Sequence, residues 1–162
     1  IFQNNILKKL IETEHEISIV VDKQWLKYWK KRTTESVTDA TESVCFNNEG
    51  FLSSIGQPIK NLDNANGHFI GLMKTQGNGS KILLKFIEKQ INERKKSLQL
   101  DPKLDLNKLR IVDVLQDLTI SGEKIETILI NNGWLEFDTT SDLELYNNMK
   151  DNNTLSQFIA LD

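Results

Sequence analysis

The sequence predicts an α/β fold built on a mixed sheet, and three stretches carry that expectation. "EISIVVD" (16–22) is a short β-branched run ending in Asp22, suited to a strand buried on both faces. Apolar residues at helical spacing stand on either side of it, at Ile6, Leu7, Leu10 and Ile11 and again at Trp25, Tyr28 and Trp29. "SVCFNNEGFLSSIG" then holds two short strand runs about Asn47-Asn48-Glu49-Gly50, a hairpin turn that breaks the alternation and makes the sheet mixed.

Each element has a local reason. Asn5 is placed to cap the first helix. Ile1 and Phe2 read as the end of a strand, so the chain opens as though in mid-domain and a fragment is expected. The helix over 24–31 carries aromatics that read as core, or as the border of a pocket. Polar residues 33–43 and 55–67 are loops on either side of the hairpin. "HFIGLMK" (68–74) is a strand in which Gly71 marks a bulge or a close approach by a ligand or another backbone. Ser80 is placed to cap a helix with Ile82, Leu83, Phe86, Ile87 and Ile91 inward, followed by a charged linker over about 95–107. Leu109, Val112, Leu115 and Leu118 define a helix stopped at Ser121-Gly122, and "KIETILI" a further strand. Residues 1–149 read as one domain and 150–162 as an Asn/Asp-rich tail or linker, with a weak amphipathic turn of Leu155, Phe158 and Ile159.

Composition narrows the function classes. At 162 residues, with 38% hydrophobic and 27% charged residues, the chain has the size and make-up of one soluble domain. A net charge of −3 and the absence of a basic stripe argue against nucleic acid. No apolar run approaches the roughly 20 residues that span a bilayer, so no membrane is expected. The single cysteine, Cys45, forms no internal disulfide, fits a reducing cytoplasm and reads as a buried strand thiol. His15 and His68 are lone, in no metal-ligand spacing.

The candidate chemistry lies in "GWLEFDTTSDLELY". Glu136 and Asp138, two apart on an extended segment, face one side. A carboxylate pair at a strand end suits Mg²⁺, which takes a few carboxylate oxygens together with waters and substrate phosphates. Ordinary strand-end acids are the alternative, and Ser141-Asp142-Leu143-Glu144 reads as a capping box that opens a helix near Asp142.

Four pieces in order, "EISIVVDKQW", "GFLSSIGQPIKNLDNANGHFIGLMK", "RIVDVLQDLTISGEKIETILINNGWLEFDT" and "SDLELY", resemble nucleotidyltransferases of the sugar-phosphate and phosphocholine cytidylyltransferase type. The variety associated with phosphonate biosynthesis and phosphoenolpyruvate mutase is the nearest in pattern. The resemblance implies a three-layer Rossmann-like nucleotidyltransferase fold, here without its N-terminal nucleotide-binding strands. It implies joining of a nucleoside triphosphate, CTP favoured, to a phosphate or phosphonate acceptor with release of pyrophosphate. It makes Glu136 and Asp138 half of a Mg²⁺ site and places Lys60 and Gly71 beside the acceptor, with Trp134 walling its pocket and Asp22 at a ligand-gathering strand end. The family's Gly-rich loop with Arg and Lys, and its further metal-binding Asp, have no counterpart in these residues. The chain alone is therefore expected to be inactive, to present an open sheet edge, and to self-associate or keep a bound N-terminal piece. Val112-Asp113 departs from the family's Thr-Asp, so Asp113 receives no role. A non-catalytic domain that binds a small phosphorylated ligand or forms a dimer is the other reading.

Overall fold

A computed structural model describes residues 1–32, 42–57, 65–100 and 109–160. In chain order it contains α1 (Asn4–Glu12), β1 (Ile17–Asp22), α2 (Trp25–Arg32), β2 (Ser43–Phe46), β3 (Leu52–Ile55), β4 (Gly67–Thr75), α3 (Gly79–Leu100), α4 (Ile111–Ile120), β5 (Glu126–Ile130) and α5 (Thr140–Asp151). The five strands form one sheet in the order β3-β2-β4-β1-β5. β1 runs parallel to β5 and antiparallel to β4, and β2 is antiparallel to both β3 and β4. The sheet is therefore mixed, with β1 at the junction of its parallel and antiparallel parts.

All six residues of β1 are buried. The period-2 alternation of a strand divides them between two cores. Ile17, Ile19 and Val21 pack with Val112, Leu115 and Leu118 of α4, and Ile82, Leu83, Phe86 and Ile87 of α3 lie against that cluster. Val20 packs on the other face with Ile6 and Leu10 of α1, Tyr28 of α2, and Tyr146 and Met149 of α5. Helices thus cover both faces, which is why this run shows no alternation in its sequence.

Several boundaries differ from expectation. α1 is entered through Gln3 with no side-chain cap, and Asn5 lies inside the helix. Only Ile6 and Leu10 of its apolar face are buried, whereas Leu7 and Ile11 are exposed. α3 begins at Gly79, so Ser80 is a helix residue whose hydroxyl bonds that of Thr75 at 2.8 Å. The same helix continues to Leu100 through the first half of the expected linker. Residues 150–160 are no tail. α5 runs to Asp151, and Leu155, Phe158 and Ile159 are buried beside Tyr28 and Trp134. Their apolar spacing, a weak signal in sequence, closes the lower part of that core.

The edge strand β5 is also less open than expected. The chain entering β3 reaches round to it: Leu52 N–H donates to Ile125 O and Thr127 N–H to Gly50 O, each at 2.9 Å, and Phe51 forms a bridge with Glu126. This contact satisfies part of an edge that would otherwise offer free backbone groups.

Candidate functional site

Past β5, Asn132 and Gly133 both take positive φ, 59° and 91°. Glycine adopts that conformation without strain and asparagine tolerates it. This turn throws residues 134–138 back across the end of the sheet. They line a cavity of about 470 Å³ together with Ile1, Phe2, Ile70, Gly71 and Leu72. Of the six candidate residues, Trp134, Gly71, Glu136 and Asp138 line this cavity.

Gly71 marks a bulge. Ile19 pairs with Met73 and Val21 with Phe69, so Val20 faces three residues of β4, and Gly71 has φ 80°. An added Cβ there would meet nothing within 4 Å, so conformation is what requires glycine. Trp134 is both wall and core: it is buried, and its indole N–H donates to Asp22 Oδ2 at 2.9 Å. Asp22 itself is fully buried and away from the cavity. Its Oδ1 accepts from the backbone N–H groups of Gln24 and Asn132, each at 2.9 Å. The carboxylate thus ties α2 and the 132–134 turn to the end of β1. Lys60 lies outside the described residues.

The sequence reading missed the centre of the site, Arg32, at the C-terminal end of α2. Its Nη1 donates to Glu136 Oε2 at 2.7 Å, its Nη2 to Asp138 Oδ2, and its Nε to Asp142 Oδ1 at 2.9 Å. Glu136 and Asp138 do face one way, and what they face is a guanidinium. Only 9% of the Arg32 side chain is exposed, against 6% for Asp142, 40% for Glu136 and 60% for Asp138. Asp142 also corrects the expected cap. The capping box is Thr139 with Asp142, not Ser141 with Glu144. Asp142 Oδ2 accepts from the N–H groups of Asp138 and Thr139 at 2.9 Å.

Two tyrosines hold the backbone at Glu136. Its N–H donates to Tyr28 Oη at 2.8 Å, and its carbonyl accepts from Tyr146 Oη at 2.7 Å. The hydroxyls are 2.5 Å apart. Since Tyr146 gives its proton to the carbonyl, Tyr28 must donate to Tyr146, and the order of the chain is settled. Burial raises both phenols above their ordinary values, which keeps them protonated donors at neutral pH.

The charges influence one another strongly. Burial pushes the Glu136 carboxyl up and Arg32 pulls it down, with a net rise to which Asp138 adds. Burial would also raise Asp142, but Arg32 and the N–H groups of Thr139 and Asp138 hold it down at about 2. For Arg32, burial lowers and the hydrogen bonds to Asp142 and Asp138 raise, leaving the guanidinium above its usual value. Behind the site, His68 is buried between Trp25 and Trp134, with ring centroids 5.3 and 5.9 Å away. Its Nδ1 and the indole N–H of Trp29 have no hydrogen-bond partner among the described residues. Burial, with a smaller contribution from Arg32, pushes this imidazole down to about 4.

No family model matches the chain. Over 145 residues it is 28% identical to the CTP:phosphoglutamine cytidylyltransferase of Campylobacter jejuni, a match over 90% of this chain and 54% of that protein. It is similar to a cytidylyltransferase. The inositol-1-phosphate CTP transferase of T. maritima matches in structure with a TM-score of 0.54, over 99% of this chain and 54% of that one. At 18% identity this match shows the fold, a Rossmann-like nucleotidyltransferase fold. The chain spans about half the length of each. None of the described helices is long and apolar enough to cross a membrane.

Glu136 and Asp138 fit Mg²⁺ as a partial donor set: two part-exposed carboxylates on one side, of the oxygen type that ion takes. Among the described residues no three of His, Cys, Asp and Glu are grouped to hold a metal. The pair therefore suits a shared site, with waters and substrate phosphates supplying the remaining oxygens.

Proposed function

We propose that this chain is the acceptor-side and metal-side portion of a nucleotidyltransferase. The enzyme would join a cytidylyl group from CTP to a small phosphorylated or phosphonate acceptor and release pyrophosphate. The observation that carries the reading is the Glu136–Asp138 pair on the wall of the 470 Å³ cavity, in a chain similar along nine-tenths of its length to a cytidylyltransferase. Mg²⁺ held by that pair would neutralise charge gathering on the phosphates as the acceptor oxygen attacks phosphorus. Gly71 and Trp134 would border the acceptor, and Tyr28 and Tyr146 would hold the Glu136 backbone in place. Phosphocholine, 2-aminoethylphosphonate, phosphorylated amino acids and sugar phosphates are the acceptors to screen. No Gly-rich loop with Arg and Lys occurs in these 162 residues, so the nucleotide pocket would be completed by residues outside them.

A second reading, a ligand-binding domain without turnover, is favoured by one observation: Arg32 already neutralises part of the charge a metal would need. Pyrophosphate release by the full native protein, with CTP and the acceptor panel, separates the two. The enzyme reading expects turnover that Asp138→Asn lowers at least about a hundredfold, the scale of losing an electrostatic contact to the reacting group. Release unchanged by Asp138→Asn would refute the metal assignment, and no release with any acceptor would favour the binding domain.

A further inference from the structure

We propose that Arg32 is the resident cation of the Glu136–Asp138 pair: it opposes entry of a free divalent ion and favours one that arrives bound to a triphosphate. This rests on the metal reading given above. Three features carry it. First, the guanidinium is fixed from behind. Asp142 accepts from Nε at 2.9 Å and is itself held by the N–H groups of Asp138 and Thr139. The charge therefore stays in place whatever Glu136 and Asp138 do. Second, its outer edge meets one oxygen of each acid, Glu136 Oε2 at 2.7 Å and Asp138 Oδ2. The two acids are 40% and 60% exposed, so an ion from solvent reaches their outward side while Arg32 holds the inner one. Third, arginine has no acceptor and keeps its proton, so toward a metal ion it is a fixed positive charge and never a ligand.

The sign of its effect depends on what approaches. A bare divalent cation is drawn by three carboxylates and repelled by the guanidinium. A divalent ion chelated to a triphosphate is a net anion, and Arg32 attracts it. The same residue thus weakens one form of the metal and strengthens the other. Coulomb's law in water, for a unit and a double charge about 5 Å apart, makes the repulsion worth roughly a tenfold change in affinity.

Manganese binding, followed by electron paramagnetic resonance on the full native protein, tests this without reference to turnover. Mn²⁺ alone should bind Arg32→Gln about tenfold more tightly than the unaltered protein, and Arg32→Lys, which keeps the charge, much less so. Glu136→Gln added to Arg32→Gln should remove the gain. Mn²⁺ with CTP should move the opposite way, binding Arg32→Gln more weakly. Arg32→Gln leaves the Asp142 carboxylate buried without its partner, so Arg32→Gln/Asp142→Asn, which removes both charges, is measured beside it. Equal or weaker Mn²⁺ binding in both variants, still lost with Asp138→Asn, would overturn the role of Arg32 and leave the metal site standing. Mn²⁺ binding that ignores Glu136 and Asp138 altogether would overturn both.

Discussion

Asp142→Asn keeps the shape of a side chain and removes its charge, and the geometry states what is lost. The asparagine oxygen could go on accepting from the backbone N–H groups of Asp138 and Thr139, where Asp142 now accepts at 2.9 Å. Its amide nitrogen would then face Arg32 Nε–H, donor against donor, where a carboxylate oxygen now accepts at 2.9 Å. A hydrogen bond to a charged group contributes about 1.5–3 kcal/mol. Breaking a buried pair costs about 3–5 kcal/mol when nothing compensates for the remaining charge. Glu136 and Asp138 compensate only in part, since both are open to solvent and screened by it. The expected loss is about 2–4 kcal/mol, well above the ~1 kcal/mol of a helix cap alone. Urea unfolding followed by tryptophan fluorescence at pH 7.5 measures it. A loss under about 1 kcal/mol with an unchanged denaturant slope would refute the buried-pair argument. A second readout uses acid. The Asp142 carboxyl is held at about 2, below its ordinary 3.8. A depressed carboxylate stabilises the fold above its unfolded value and ceases to do so as pH falls through the folded one. The gap between the two proteins should therefore close on acidifying from pH 3.8 towards 2.

Asp22→Asn should cost about 1.5–3 kcal/mol in the same assay, because an amide nitrogen would meet the Trp134 indole N–H; stability within about 0.5 kcal/mol of the unaltered protein would remove Asp22 from the framework. Gly79→Ala places a Cβ 2.2 Å from the carbonyl oxygen of Glu16 and should cost about 1–3 kcal/mol as the start of α3 is pushed from β1; unchanged stability would mean that contact is not kept. His68, held near 4 by burial, is neutral in the folded protein and protonates more readily unfolded, so stability should fall as pH drops from 6.5 to 4. The loss is about 2.5 kcal/mol by pH 4.5, and an equal acid loss in His68→Gln would assign it to other groups.

The fold was legible where burial is expressed in composition. β1 shows it best: its six buried residues include four Ile and Val, a short β-branched run that suits a strand covered on both faces. The hairpin about Asn47–Gly50 and the glycine stop after α4 were equally visible. Helix starts were not. Thr139, Thr140 and Ser141 are consecutive hydroxyls, each able to cap, and local preference cannot choose among them. The choice falls on Thr139 because Asp142, three residues on, is held by Arg32, a partner 110 residues away. The tail was misjudged for a related reason. Leu155, Phe158 and Ile159 are too few to declare a core, and their burial depends on Tyr28 and Trp134 being brought beneath them. For the site, the pattern was right that Glu136 and Asp138 face one side. Arg32 carried no signal, because at the end of a Lys-Lys-Arg run it is indistinguishable from a solvated helix terminus.

The segment 134–139 makes the same point about cause. It belongs to none of the five strands, and among the described residues its ladder-like pairing is with Ile1 and Phe2 alone. Order comes instead from the period of two. Trp134 is tied by Asp22, the backbone of Glu136 by Tyr28 and Tyr146, and Asp138 by Arg32 and the Asp142 carboxylate. Every second residue is thus anchored: Trp134 to the end of β1, Glu136 to the tyrosines of α2 and α5, and Asp138 to the C-terminal end of α2 and the start of α5. A segment held this way has already given up its conformational freedom during folding, so a ligand meeting Glu136 and Asp138 has little of it left to remove. The three anchors also differ in kind. The first is a buried carboxylate, the second a chain of neutral hydroxyls, and the third a guanidinium shared among acids. Only the third changes with the charge of what binds. Substitutions at Asp22 or Tyr146 should therefore loosen the whole segment, while those at Arg32 should change which ions it accepts.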